Sequence, residues 1–182
     1  HPVAGYDRAP PRPSILHFGV GNFFRAHQAA YLDRLMNMGL AQDFAIIGAG
    51  VMPGDARMRD TLAAQDYLYT LVEQSASRSD AWVLGPIVDY IAPGDHGRVI
   101  AALADPAIRI VALTITEGGY FIDAATGHFD RAHPAIAADA ANPDAPQTVF
   151  GLIVAGLRAR RAAGHAPFTV MCCDNIPHNG NV

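Results

Sequence analysis

The sequence predicts an α/β domain: a doubly wound, mostly parallel sheet with helices on both faces. Three observations carry that prediction. The runs Ser14–Gly19, Phe44–Gly50 and Ile108–Thr114 are largely apolar without alternation, as strands covered on both faces must be. They are separated by longer stretches of helical character, the pattern of a parallel sheet. Of the 182 residues, 51% are hydrophobic and only 16% charged, enough for a substantial core.

Taken in order, residues 1–13 hold four prolines and read as an extended tail, with the domain proper at 14–182. Ser14–Gly19 (SILHFG) is the first strand. Residues 22–39 read as one helix, with Phe24, Gln28, Tyr31, Leu35 and Met38 on one face and Gly39 as its stop. Phe44–Gly50 is the second strand, and residues 55–65 form a helix with Asp55 as a plausible N-cap. Tyr67–Glu73 and Ala81–Tyr90 read as strands that can pair as a hairpin between core elements. A short helix over 95–104 precedes Ile108–Thr114, the most apolar strand. Residues 146–163 form a helix ended by Gly164, and Phe168–Cys173 is a last, buried strand.

Composition excludes several function classes. The net charge is -4, and the one basic group is Arg158, Arg160 and Arg161, so no nucleic-acid groove is indicated. No apolar run reaches membrane-spanning length, and the Pro-rich start carries no signal-peptide core. The two cysteines, Cys172 and Cys173, are adjacent. Neighbours on a strand point to opposite faces, so they make poor disulfide or zinc partners, no metal is expected, and a reducing cytoplasm is the simple reading. All 13 cationic residues are arginine; the chain has no lysine, which rules out a Walker-type phosphate loop.

Sheets of this kind bind ligands beyond the carboxyl ends of their strands, at the switch point of the strand order. Three polar clusters sit just past strands. The first is Gly19-Val20-Gly21-Asn22-Phe23-Phe24. Its glycines permit a tight turn and close approach to a pyrophosphate, and the following helix offers free N–H groups. It is a nucleotide-binding turn or an ordinary strand-to-helix turn; Phe24 stands where a third glycine is usual. Past the second strand, Gly48-Ala49-Gly50 is a decoy, and Asp55 is the nearest acid for an adenosine ribose, or else only a helix cap. The second cluster, Thr114-Ile115-Thr116-Glu117-Gly118-Gly119-Tyr120, offers Glu117 as a site carboxylate or as a solvated loop acid. The third, Asp174-Asn175-Ile176-Pro177-His178-Asn179-Gly180-Asn181, is dense in hydrogen-bonding groups.

Together these clusters resemble the mannitol dehydrogenase family of polyol-specific long-chain dehydrogenases and fructuronate and tagaturonate reductases. The likeness rests on Phe18-Gly19-Val20-Gly21-Asn22-Phe23-Phe24-Arg25-Ala26-His27-Gln28, Thr116-Glu117-Gly118-Gly119-Tyr120 and Cys173-Asp174-Asn175-Ile176-Pro177-His178-Asn179-Gly180, in family order. The resemblance implies a Rossmann-type, NAD(P)-binding domain. It implies metal-independent hydride transfer between a polyol or sugar-acid secondary alcohol and NAD, with NADP not excluded. Gly19, Gly21, Asn22, Phe23, Asp55, Glu117 and Asn175 would contact the cofactor. Asn175 would polarise the reacting oxygen, Glu117 would sit near the nicotinamide and the proton path, and Asn179 is a second candidate. The family's general base is a lysine in a helical C-terminal substrate domain. Both ends of this chain read as cut, so that domain is expected to be absent from it. A stand-alone NAD(H)-sensing module without catalysis is the alternative reading.

Overall fold

The structure, a computed structural model, describes residues 4–8, 13–123 and 125–181. Five parallel strands form the main sheet: β1 (Pro13–Phe18), β2 (Ala45–Ala49), β5 (Ile87–Ile91), β6 (Ile110–Leu113) and β7 (Thr169–Cys172). Their order is β5-β2-β1-β6-β7. A separate antiparallel hairpin pairs β3 (Tyr69–Gln74) with β4 (Ser79–Leu84). Six α-helices, α1 (Asn22–Ala26), α2 (Gln28–Asn37), α3 (Asp55–Ala63), α4 (His96–Ala104), α5 (Pro134–Ala141) and α6 (Val149–Ala163), and two short 3-10 turns, Glu117–Tyr120 and Asn179–Asn181, complete the described elements.

Strand periodicity divides the interior into two cores, one on each face of the sheet. Leu16, Phe18, Val111 and Leu113 pack with Val99 and Leu103 of α4 and with Leu152 and Ile153 of α6. Ile15, Ile46 and Ala112 pack on the other face with Phe24, Leu32, Met36 and Leu62. Hence the doubly wound Rossmann-type arrangement expected from the apolar runs is the one observed. The helices of the first face cross closely, because a Cβ at Gly156 would lie 2.5 Å from Leu103 Cβ. Thr148 caps α6 by accepting the Gly151 N–H (3.0 Å), and Gly164 ends it in the left-handed region at φ +72°.

Several elements differ from expectation. The single helix over 22–39 is two helices, broken at His27 (φ -118°, ψ -85°). The His27 ring Nδ1 donates to the Phe23 carbonyl at 2.8 Å, locking the break. The break re-aims α2, so Ala29, Leu32, Asp33 and Met36 are buried, while Tyr31, Leu35 and Met38 of the expected face are exposed. The run Ala81–Tyr90 is split at Gly85-Pro86, since proline cannot donate to a ladder. Its first half joins the hairpin and its second half crosses into the main sheet. The terminal strand β7 is an edge strand, mostly exposed, because it has a neighbour on one side only. An additional helix, α5, starts at Pro134 with His133 Nδ1 accepting the Ala135 N–H at 3.2 Å. Asp55 is the first residue of α3 rather than its cap; that position is Gly54.

Three buried polar residues tie these layers together. Asp33 accepts from Tyr6 Oη (2.6 Å), the Gly85 N–H (3.0 Å) and Asn37 Nδ2 (2.9 Å). Arg8 donates to the carbonyls of Gly85 and Ile87 (both 3.0 Å), so the described part of the expected tail is docked rather than free; residues 1–3 and 9–12 lie outside the described residues. Asp139 accepts the backbone N–H groups of Gln147 (2.8 Å) and Thr148 (3.0 Å) and the Thr148 hydroxyl (2.6 Å), fixing the α5–α6 connection. Arg160, 3% exposed, donates to the carbonyls of Leu103 (2.7 Å), Ala166 (2.8 Å), Ile108 (2.5 Å) and Asp105, and lies over the Phe168 ring.

Arg160 therefore satisfies the C-terminal carbonyls of α4 and the entries to β6 and β7 at once. Arg160→Met keeps the aliphatic stem and abandons those carbonyls. It should destabilise the chain by about 3 kcal/mol in urea unfolding. Arg160→Lys should recover only part of this, because an ammonium cannot fan out to four acceptors in one plane.

Candidate functional site

The register of the main sheet brings five strand ends into one row. Phe18 pairs with Ala49 and Leu113, Ala49 pairs with Ile91, and Leu113 pairs with Cys172. Every loop that leaves this row emerges at the carboxyl edge. The chain moves outward from β1 through β2 and β5 and then returns past β1 to β6, so the strand order reverses between β1 and β6. A crevice opens at such a reversal. Gly19 and Gly21 follow β1 there, Glu117 follows β6, and Asn175 follows β7.

The β1–α1 turn is shaped by close contact with the end of β6. Gly19 has φ +84°, and a Cβ there would lie 2.1 Å from the Thr114 carbonyl oxygen. No other residue type fits. Gly21 has φ -80°, and a Cβ on it would meet nothing within 4 Å, so its side of the turn faces open space. It stands at the N-cap position of α1, where no side chain caps the helix, and the first-turn N–H groups have no intrahelical acceptor. Arg25 straps the turn from behind, donating to the Val20 carbonyl (2.6 Å) and to Asn22 Oδ1 (2.5 Å). Phe23 is 58% exposed and stacks on His27 at 4.4 Å.

Beneath the turn lies His17, fully buried in β1 and stacked on Phe24 at 3.6 Å. Its Nε2 is 2.9 Å from Thr114 Oγ1, and the Thr114 hydroxyl donates to the Gly19 carbonyl at 2.6 Å. Burial holds its pKa far below the ordinary value of 6.5, at about 3, with Gly19 and Gln28 pulling weakly upward. The ring is therefore neutral.

The β6 and β7 loops are joined by one carboxylate. Asp174 accepts the Ile115 N–H through Oδ2 and the Thr116 N–H through Oδ1, each at 2.9 Å, and the Tyr120 hydroxyl at 2.9 Å. Burial, with the Asp174 carboxylate beside it, keeps the Tyr120 phenol protonated well above its ordinary range. Asn179 Nδ2 donates to the Asp174 carbonyl at 3.1 Å. Thr116 is held at φ +65°, an unusual conformation for a β-branched residue, and it leads into a 3-10 turn over Glu117–Tyr120. Glu117 and Asn175 are both exposed on this braced surface. The space beside Gly119 is filled by the Ile115 side chain, so that glycine answers to internal packing.

Beyond β2, Asp55 turns its Oδ2 back to accept the N–H groups of Val51 (2.8 Å) and Met52 (2.9 Å). Two cavities on the described surface differ in their position relative to this edge. One of about 690 Å³ opens beside the β7 loop and is lined by His128, Arg131, His178 and Asn181. An open groove of about 860 Å³ between α2 and the hairpin, with Arg34, Glu73 and Trp82, carries none of the carboxyl-edge residues. Among the described residues no group of three or more His, Cys, Asp or Glu is placed to hold a metal ion.

The loops were legible in the sequence, but the bracing roles of His17, Arg25, Thr114 and Asp174 within and beneath them were not. A histidine inside an apolar strand and an acid directly after a strand were the available signals.

A parallel sheet of this order, with a glycine turn at its switch point, defines a Rossmann-type α/β domain. Residues 13–182 match the mannitol dehydrogenase Rossmann domain, and the chain belongs to that family. It is 56% identical over 178 residues to a mannitol 2-dehydrogenase of Cereibacter sphaeroides, covering 97% of this chain and 37% of that protein. It is 50% identical over 181 residues to a polyol:NADP oxidoreductase of Gluconobacter oxydans, again spanning 37% of its length. Among solved structures, the Pseudomonas fluorescens mannitol 2-dehydrogenase ternary complex with NAD and D-mannitol superposes with a TM-score of 0.94 at 49% identity, over 99% of this chain and 37% of that one. A substrate-free D-sorbitol dehydrogenase gives 0.92 at 47% identity, over 99% and 38%.

Two outcomes follow from this geometry. Asp174→Ala leaves two backbone donors and a phenol without their acceptor, and should cost about 3 kcal/mol, with the loss of hydrogen-exchange protection concentrated at Ile115 and Thr116. The pH dependence comes from His17. Its folded pKa lies below its unfolded one, so the unfolded chain takes up the extra proton. The stability from the neutral ring is complete above about pH 6.5 and is lost as pH falls toward 3. Between neutrality and about pH 4.5 the His17 contribution should fall by roughly 2 kcal/mol, read as the difference between the chain and His17→Gln in paired urea titrations.

Proposed function

We propose that this chain is the cofactor-binding domain of an NAD(P)-dependent oxidoreductase acting on a secondary alcohol of a mannitol-like polyol. The observation that carries the proposal is the glycine turn at the β1–β6 switch point: open space at Gly21, an uncapped first turn of α1, and a backbone conformation at Gly19 that only glycine adopts. These features suit the pyrophosphate of a dinucleotide, which needs close backbone approach and N–H donors. The solved relative in complex with NAD and D-mannitol supports the same reading.

Each residue then has a task. Gly19, Gly21, Asn22 and Phe23 form the wall against the pyrophosphate. Asp55 uses Oδ2 to hold its own loop, which leaves Oδ1 to accept a ribose hydroxyl. Asn175 donates its amide to the alcohol oxygen and stabilises the charge that grows there. Glu117, exposed on the neighbouring loop, lies on the route of the departing proton. When bound, the nicotinamide supplies the hydride acceptor. The family lysine has no counterpart here, since the chain contains none; the general base belongs to another part of a longer protein, with the polyol pocket. Asp55 disfavours a 2′-phosphate and Arg59 is engaged with Asp60 at 2.9 Å, so NAD is favoured modestly over NADP, with Arg57 the remaining nearby cation for a 2′-phosphate. Two free cysteines fit a reducing cytoplasm, and no described helix is long and apolar enough to cross a membrane.

A sugar acid is the second reading for the substrate. One observation favours it: the cavity beside the β7 loop is lined by His128, Arg131 and His178 and, among the described residues, by no acid.

Fluorescence titration tests the assignment. NADH should bind the chain more tightly than NADPH, and Asp55→Ala should weaken NADH by roughly tenfold while narrowing that preference. Tighter binding of NADPH would reverse the cofactor assignment, and no binding of either would remove it. The chain alone should not reduce NAD with mannitol, because a tuned base contributes about a hundred- to ten-thousandfold and substrate alignment more. Turnover lost in Asn175→Ala would show the machinery to be complete here.

A further inference from the structure

His17 is the most thoroughly buried polar side chain of the sheet, and the proposed reaction gives it no task. It lies one residue before the end of β1, directly beneath the glycine turn, on the face of the sheet that packs against α1. The Thr114 hydroxyl has one proton and donates it to the Gly19 carbonyl. Its oxygen is thus free to accept from His17 Nε2, and the ring's proton must sit on Nε2. Nδ1 is then a bare acceptor. Nδ1 and Gln28 Oε1 are both buried without a hydrogen-bond partner, and Gln28 is a side chain that bears on the ring. Turning the Gln28 amide by a half-rotation presents its N–H to Nδ1 and satisfies the ring.

We propose that Gln28, His17 and Thr114 form a buried, one-directional hydrogen-bond relay that holds the Gly19 carbonyl and so sets the shape of the glycine turn for a dinucleotide pyrophosphate. This rests on the reading of the crevice as a dinucleotide site. The relay runs from the first residue of α2, through β1, to the end of β6. It links the elements on both sides of the switch point to one carbonyl. The helix break at His27 starts α2 at Gln28, the residue whose side chain bears on the ring. None of the three residues touches the cofactor; they are positioning residues. Thr114 is the sharpest point of the relay, because its hydroxyl both accepts and donates. When that hydroxyl is removed, the Gly19 carbonyl loses its side-chain donor, and the turn keeps the Gly19 N–H bond to the Ala49 carbonyl at 3.0 Å and the Arg25 strap on Val20.

Thr114→Val preserves shape and deletes the hydroxyl; Thr114→Ser restores it. Two measurements on the whole chain separate the possibilities. Amide exchange at Gly19 and Val20, without nucleotide, should quicken by about tenfold in Thr114→Val, return in Thr114→Ser, and stay unchanged at Val111. NADH affinity should fall by about tenfold in Thr114→Val and recover in Thr114→Ser, whereas adenosine, which lacks a pyrophosphate, should bind both equally. His17→Gln, which keeps a donor near Nε2, should lie between Thr114→Val and the unaltered chain. Unchanged exchange at Gly19 in Thr114→Val overturns the relay. Changed exchange with unchanged NADH affinity overturns its role in binding. An equal loss for adenosine and NADH, or a loss that serine does not rescue, reduces Thr114 to general packing and also overturns it. If the unaltered chain binds no NADH, the dinucleotide reading fails by itself, and the exchange measurement still decides whether the relay exists.

Discussion

The central strand β1 governs this molecule. It lies between β2 and β6, pairs in parallel with both, and is buried on both faces. A strand in that position has no water to satisfy its backbone, so its ladders must be complete and its register cannot slip. Its register with β2 and β6 aligns Phe18 with Ala49 and Leu113, and that alignment fixes the level at which the carboxyl-edge loops emerge. The two cores, the switch point and the glycine turn are consequences of where β1 sits.

Apolar packing cannot shape loops beyond that level, and the chain uses buried polar groups for the purpose. Asp174 anchors the β6 loop from the β7 loop, and Thr114 anchors the β1 turn from β6. Each bond crosses a gap of more than fifty residues in sequence, so it depends on the sheet being assembled first. The arrangement leaves Gly21, Glu117 and Asn175 facing outward on a rigid edge, with the unusual backbone at Thr116 held in place by its neighbours.

The same logic separates the structural acids from the proposed functional ones. Asp33, Asp139 and Asp174 are saturated with donors from the chain itself, and each joins segments that would otherwise drift apart. Asp55 is half engaged, through one oxygen. Glu117 is the exposed acid at the switch point. A carboxylate surrounded by backbone N–H groups has little left to offer a ligand, whereas Asp55 engages its loop through Oδ2 alone and Glu117 stands exposed, which is why the proposed acid roles fall to these two.

Much of this was legible in the chain's local chemistry. Non-alternating apolar runs require burial on both faces, so the parallel sheet, its two helical layers and the carboxyl-edge placement of Gly19, Gly21, Glu117 and Asn175 followed from periodicity and the position of loops. Gly164 ended its helix because a left-handed residue was needed there. Other features were decided only by tertiary structure. The break at His27, the exposure of Tyr31, Leu35 and Met38, and the split at Gly85-Pro86 depend on which surfaces the neighbouring layers leave free. The strand Phe168–Cys173 looked like any buried strand, yet edge or centre is a property of strand order, which a local window does not contain. The bracing roles of His17, Thr114 and Asp174 were hidden for the same reason: their partners are remote in sequence, and a polar side chain reveals its purpose only when the fold brings its donor or acceptor within reach.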